Sequence, residues 1–366
     1  MDKTRIKVWG LFNLSKKQIL IFEMVFLTIF ILLTVFLFSY DFQEHMDSEA
    51  LAFHAKYTKY ISLICTFLII VETQFLWSRF IQAQLDLIKE QKQEIENQKE
   101  KIESQNNNLK ASIRYASRIQ SALLPSDVKM GRILKDHFIY FKPRDVVSGD
   151  FYWIDEHEDK IIVAVADCTG HGVPGAFVSV LGISFLNGII QNAMSQKEDL
   201  NPAIILNRLR SKMLDSFIKS ETESGIYDGM DISVCIIDKK NKTLDFSGAM
   251  HPICIVKKPA NAKPEIQKLR TDVHSISLIG TGDYVYSSVS FSIDKGDMLY
   301  MYSDGFADQF GGNEGKKYLS RNFEYLLLKV AHEPLETQNR LLKEKIAKWQ
   351  GSYKQVDDIL VLGIRV

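Results

Sequence analysis

Four aspartates in this chain sit where a carboxylate can do chemistry, each at the edge of an apolar run and three of them with glycine near. Asp150 lies in Ser148-Gly149-Asp150-Phe151-Tyr152-Trp153, and Asp167 follows Val163-Ala164-Val165-Ala166 and precedes Cys168-Thr169-Gly170-His171-Gly172. Asp304 lies in Tyr302-Ser303-Asp304-Gly305, with Asp308 one helical turn later, and Asp357 opens Asp357-Asp358-Ile359-Leu360. Glycine lets backbone approach a ligand closely, and a strand tip presents a carboxylate to it. Taken singly, each aspartate is equally well a turn or helix-cap residue. Taken together they form an all-oxygen set, the donor chemistry of magnesium or manganese rather than zinc or copper. Four gathered carboxylates repel one another, and about two divalent cations would balance them before an anionic substrate arrives.

The elements that must position these residues follow from the apolar pattern. Strand-like runs are His137–Phe141, Phe151–Ile154, Ile161–Ala166, Ile232–Ile237, Thr243–Phe246, Ile253–Val256, Met298–Tyr302 and Ile359–Ile364. Helix-like runs are Pro174–Ala193, Pro202–Lys219, Asn322–Val330 and Leu335–Trp349. Strands adjacent in sequence, with helices grouped between them, predict an α+β sheet domain over residues 125–366 rather than a doubly wound parallel one. No repeat and no glycine-rich phosphate loop is present.

The beginning of the chain has a different character. Residues 19–40 form an apolar run broken only by Glu23, two threonines and Ser39, long enough to cross a hydrocarbon core. A second span is expected over 60–77, with Glu72 and Gln74 near its end, where a glutamate can snorkel to the interface. Lys3, Arg5, Lys7, Lys16 and Lys17 precede the first span and Arg79 and Lys89 follow the second, so both ends are expected on the cytoplasmic side. The membrane anchor is therefore residues 1–80, in contact with lipid, with Asp41–Lys59 outside as a short loop. Residues 81–124 place Ile81, Ile88, Ile95, Ile102, Leu109 and Ala116 at heptad spacing. The second seam is apolar only at Leu85 and Ile113, with Lys92, Lys99 and Asn106 between. This predicts a weak parallel coiled coil and a homodimer, with a single solvated helix as the alternative. Pro125 ends that helix. A formal net charge of zero gives no support for nucleic-acid binding. The four cysteines show no paired metal spacing, so free thiols in a reducing compartment are expected.

The segments Lys142–Trp153, Ala166–Phe177, Asp228–Ile232, Ser303–Gly312 and Gln355–Leu360 resemble, in order, the motifs of the SpoIIE-like bacterial branch of PPM-type metal-dependent serine/threonine phosphatases. Ala116–Pro125 resembles the helix leading into that domain. The resemblance implies a β-sandwich flanked by helices, with two Mn²⁺ or Mg²⁺ ions at one end. By the family's pattern Asp167 bridges both ions and the Cys168 carbonyl adds a ligand. Asp150, Asp304 and Asp357 complete the set, and Asp308 matches a position that in some members helps hold a third, weaker ion. The implied chemistry is direct hydrolysis by a water made acidic between the ions, without a phosphoenzyme. The implied substrate is a phosphorylated protein in bacterial signalling, of the anti-anti-sigma (STAS) kind, and the expected location is the cytoplasmic membrane with the catalytic domain inside.

Two departures bear on the transfer. Animal-type members carry a histidine two residues after the bridging aspartate, whereas His171 here is four residues on and is expected to hold the turn. Arg144 and Lys142 are candidates for steering the substrate phosphate, with surface ion pairing the alternative. Asp228 and Asp231 match a motif without a role that spacing assigns, and His251-Pro252 reads as turn chemistry. A non-catalytic relay and a hydrolase of small phosphoesters are the rival functions. The segment Pro259–Tyr286 carries no chemistry that its sequence names.

Overall fold

The computed structural model describes residues 48–366 except 219–228, 258–263, 271 and 278–283, and ahead of residue 48 only 5–8, 12–15 and isolated positions between 21 and 36. The chain divides into two units, Met1–Asn106 and Asn107–Val366. In the first, strands β1 (Arg5–Val8) and β2 (Phe12–Ser15) pair antiparallel. Most of the span expected over 19–40 lies outside the described residues. The span expected over 60–77 lies in the helix Ser48–Leu123, which already runs through residues read as part of an external loop. Ser48 to Tyr57 is rich in alanine, leucine, glutamate and lysine, which favour helix over loop. Ile61, Leu63, Ile64, Phe67 and Leu68 along it are all exposed, as are the heptad residues Ile81, Ile88, Ile95, Ile102 and Leu109.

The second unit is a sandwich of two antiparallel sheets covered by helices on both outer faces. One sheet orders β11 (Val289–Ser292), β7 (Thr243–Ala249), β6 (Gly229–Asp238), β5 (Lys160–Cys168) and β4 (Phe151–His157), with β10 (Ile276–Ser277) also on β6. The other orders β3 (His137–Lys142), β15 (Ile359–Arg365), β12 (Met298–Tyr302), β8 (Ile253–Lys257) and β9 (Glu265–Leu269), while β13 (Phe310–Gly311) and β14 (Lys316–Lys317) pair with each other. Val163, Val165, Cys235, Leu299, Met301, Leu360 and Leu362 fill the space between the sheets. Alternate residues of the same strands face outward. Ile162, Ala164 and Ala166 meet the helices Gly172–Gln196 and Pro202–Ile218, while Tyr300, Ile359 and Val361 meet Ser320–Val330 and Leu335–Gln350. Strands buried on both faces read as continuous apolar runs, which is why pairing order could not be taken from alternation. The helix Gly172–Gln196 is long and apolar enough for a membrane, yet it is half buried against this sheet.

Antiparallel pairing brings together residues far apart in sequence. Phe151 at the start of β4 lies opposite Ala166 near the end of β5, and Val361 near the start of β15 lies opposite Tyr302 at the end of β12. The starts of β4 and β15, just after Asp150 and Asp357-Asp358, and the ends of β5 at Cys168 and of β12 at Tyr302 thus share one end of the sandwich. Gly305 is required there, because a Cβ on it would collide with the Asp358 carbonyl. The α+β sandwich flanked by helices is as expected. The short helix Asp127–Ile133, whose N-cap Ser126 accepts the Lys129 N–H, and strands β9 to β11 were not.

His251 occupies the turn between β7 and β8, as its sequence context suggested, but it is buried in the fold. Its Nδ1 lies 3.1 Å from Ser233 Oγ, which itself donates to the Val165 carbonyl, so the ring donates at Nδ1 and Nε2 has no partner. Burial pushes its pKa down from 6.5 to about 4. The folded protein therefore holds this ring neutral while the unfolded chain protonates it. Its contribution is complete above pH 6.5 and is lost as pH falls toward 4, a change of about 3 kcal/mol. Denaturant unfolding at pH 7.5 and at pH 4 should show a loss that His251→Gln reduces by roughly that amount, whereas identical losses in both proteins would contradict the assignment.

Candidate metal centre

The carboxylates named by the sequence meet at one end of the sandwich. Asp150 is buried, and its carboxyl is held well above the usual range by that burial first and then by the charges of Asp167, Asp358 and Asp357, against a hydrogen bond from Ser303. Asp167 is likewise raised well above its ordinary value, by burial and then by Asp304, Asp357 and Asp231. Burial, with Asp308 and Asp357 adding to it, pushes Asp304 up to about 6, and Lys317 opposes the shift. Asp357 is raised by burial, with His171 and Arg144 pulling it back down. Charges that raise one another in this way occupy a common, poorly hydrated space.

The backbone around them is tightly tied. Asp358, adjacent to Asp357 and itself buried, accepts the Arg144 N–H at 2.6 Å and the Gly149 N–H at 2.7 Å. The Asp150 N–H goes to Ser148 Oγ at 3.1 Å. A Cβ on Gly149 would stand 2.7 Å from the Gly170 carbonyl and 3.0 Å from that of Cys168, so only glycine lets the Asp150 segment approach the turn that follows Asp167. The Cys168 carbonyl is thus at the cluster while its thiol is buried and pushed far up, chiefly by that burial. Ser303 holds the start of β15 by accepting the Leu360 N–H at 3.0 Å.

Other residues fall around this core with distinct tasks. Asp304 is at the N-cap position of Gly305–Asp308 but makes no side-chain cap bond, so its carboxylate is not spent on the helix. Asp308 is paired with Lys317 Nζ at 2.7 Å, which places it at the rim. Arg144 is also at the rim, its Nη1 donating to the Val356 carbonyl at 3.0 Å and its Nε 3.8 Å from Asp145. Lys142 points to Gln350 instead, 3.4 Å away. His171 is the residue before the helix Gly172–Gln196, with its Nδ1 3.3 Å from Asp145 and no cap bond. Asp231 lies directly opposite Asp167 in the β5–β6 register and accepts the Ser275 hydroxyl. Asp228 lies outside the described residues.

The donor set suits a hard divalent cation. Every side chain in it offers oxygen, and Asp150 Oδ2 is a buried carboxylate oxygen with no hydrogen-bond partner. Among the described residues no three such side chains already converge closely enough to hold an ion as they stand.

Comparison with known proteins bears on this site. The model of the family described as Stage II sporulation protein E (SpoIIE) matches residues 157–366, more than half of the chain. The chain is 24% identical over 204 residues to the phosphoserine phosphatase RsbU of Bacillus subtilis, a match covering 55% of this chain and 54% of that one. The chain thus spans about half the length of this curated relative. It also resembles the solved SiaA-PP2C domain of Pseudomonas aeruginosa at 32% identity and a TM-score of 0.62, covering 71% of this chain and 98% of that domain.

A raised carboxyl pKa means that the fold binds more protons than the unfolded chain, so these groups cost stability as pH rises above about 4. Removing one charge relieves that cost. Asp150→Asn should therefore raise the melting temperature in chelator at pH 7, by roughly 2–4 °C per kcal/mol recovered, while weakening Mn²⁺ binding in calorimetry. A lower melting temperature in chelator would show that the carboxylate is a structural contact instead.

Proposed function

We propose, since the chain belongs to the SpoIIE family, that it is a Mn²⁺- or Mg²⁺-dependent phosphoserine/phosphothreonine protein phosphatase, anchored in the cytoplasmic membrane with its catalytic domain in the cytoplasm. The observation that carries this reading is the gathering of Asp150, Asp167, Asp304 and Asp357 in a space too poorly hydrated for all to be charged alone. Asp167, central among them, would bridge two ions, with Asp150, Asp304, Asp357 and the Cys168 carbonyl as the further ligands and Asp308 available to a weaker third. Bound ions supply an acidified water and neutralise charge on the phosphoryl oxygens.

The chain's own residues do the rest. Asp358 and Gly149 hold the Asp150 segment against the turn after Asp167, so the backbone carrying these two carboxylates is fixed before substrate arrives. Arg144 stands at the rim beside Asp357, where its remaining guanidinium N–H groups can receive a phosphate. A phosphoserine on a folded regulator, of the STAS kind, is the substrate this reading takes, its phosphate meeting the charged side chains Arg144 and Lys317 at the rim. The exposed apolar residues of the helix Ser48–Leu123 support two further elements of the reading: lipid around residues 60–77, and a second copy along the heptad seam.

Phosphate release from a phosphoserine protein by the full chain in lipid nanodiscs should require Mn²⁺ or Mg²⁺ and fall roughly 10²–10³-fold in folded Asp167→Asn and Asp304→Asn. Undiminished release in both variants would sink the assignment, and release from small phosphoesters alone would redirect it to another substrate class. Sedimentation in detergent should show a dimer that Ile88→Lys with Ile95→Lys and Ile102→Lys dissociates. A wild-type monomer, or a dimer indifferent to the three lysines, would remove the coiled coil from the account.

A further inference from the structure

Asp304 and Asp308 stand one turn apart on the short helix Gly305–Asp308 and its N-cap, with the Asp308 N–H donating to the Asp304 carbonyl at 2.9 Å. Their carboxylates are near neighbours, since after burial the charge of Asp308 is the largest influence raising Asp304. Such a pair, at the outer edge of the metal centre, is a place for one more cation. It is already taken. Lys317 Nζ stands 2.7 Å from Asp308 Oδ2, and the ammonium is near enough to Asp304 to oppose its rise.

An exposed ion pair is often incidental, and Lys316 beside it makes one of that kind with Glu314, both side chains being mostly in solvent. Lys317 is held differently. It lies on β14 opposite Phe310 of β13, in a hairpin that leaves directly from the Asp308 turn. The next two residues are bonded back to the segment that carries Asp308: the Tyr318 N–H donates to the Gln309 carbonyl at 3.0 Å and the Leu319 N–H to the Ala307 carbonyl at 2.7 Å. Tyr318 is buried, edge-on to Phe306 at 5.5 Å and to Trp349 at 5.3 Å. On the facing strand, Gly311 lies so close to the Trp349 carbonyl that a Cβ there would collide with it. The backbone of the lysine and the turn bearing both aspartates are therefore tied together, and the fold delivers the ammonium to these carboxylates.

We propose that Lys317 is a built-in cation of the metal centre: its ammonium fills the place beside Asp304 and Asp308 where a further divalent ion would otherwise bind, and so limits the centre to two. This inference rests on the metal-dependent reading given above and refines it, because the place open to a weaker third ion is held by the chain's own lysine. An ammonium and a divalent ion compete for the same carboxylate oxygens and repel each other at such short range. The ammonium also has three N–H groups, of which the Asp308 carboxylate takes one, so the others remain for an anionic oxygen of the substrate. Positive charge is then present at that edge whatever the metal concentration.

The test counts the Mn²⁺ bound by the full chain in nanodiscs of zwitterionic lipid, by calorimetry and by the paramagnetic resonance of the free ion. Wild type is compared with Lys317→Met, Lys317→Arg, Asp308→Asn and the double variant Lys317→Met with Asp308→Asn. Lys317→Met should bind one more Mn²⁺ per chain than wild type, more weakly than the rest, and the double variant should lose that gain. Lys317→Arg keeps the cation and should keep the wild-type count. If Lys317→Met does not fold, Lys317→Gln carries the comparison. Equal counts in wild type and the folded Lys317 variant would mark an ordinary ion pair and overturn the inference while leaving the phosphatase reading intact. A weak extra ion in wild type that Asp308→Asn removes would overturn it equally. A gain of one ion in a protein releasing no phosphate would support the inference and remove the phosphatase. A wild type that binds no Mn²⁺ would end both.

Discussion

The repulsion among carboxylates gathered at one end of the sandwich is the constraint on which the rest of this structure depends. Burial and mutual charge raise Asp150, Asp167, Asp304 and Asp357 together, so the fold carries a local cost that only protons or cations relieve. The surroundings are built to hold that cost in place. Strand starts and strand ends meet by antiparallel pairing, Gly149 and Gly305 permit backbone contacts that a side chain would block, and Asp358 draws two loop N–H groups inward. Binding energy for the ion is in this sense stored in the fold.

Much of this was legible in the sequence because the signals were local. Apolar runs ended at aspartates and glycines, and those runs became strands nearly where they were expected, with Met298–Tyr302 unchanged at both ends. What was not legible depended on facing. Asp357 and Asp358 are adjacent and chemically identical in sequence, yet one looks into the pocket and the other holds the Arg144 and Gly149 amides, since successive residues of an extended segment point to opposite sides. The ion pair of Asp308 with Lys317 joins residues on separate elements and had no signature in either.

Two further elements escaped for different reasons. The segment Pro259–Tyr286 yielded no assignment because β9 alternates exposed and half-buried residues and β10 has only two, too short for a period to register. Gln120 stood among many glutamines in a polar helix, and only its buried bonds to the Ser148 peptide groups distinguish it from the exposed ones. A glutamine where the heptad pattern gives way to the apolar cluster Ile119, Leu123 and Leu124 was the available sign. The same helix carries the apolar surface of residues 60–77 and the heptad seam, so one element supplies the features from which anchoring and pairing are proposed.

The central claim is that the acidic pocket binds metal around Asp167. Crystals of the chain grown with Mn²⁺ and measured at the manganese absorption edge test it most directly, through the anomalous difference map. The account predicts two strong peaks at this end of the sandwich, both within ligating distance of the Asp167 carboxylate, with Asp150, Asp304 and Asp357 divided between them. A map with no peak there, or with manganese bound only at sites remote from Asp167, would contradict it.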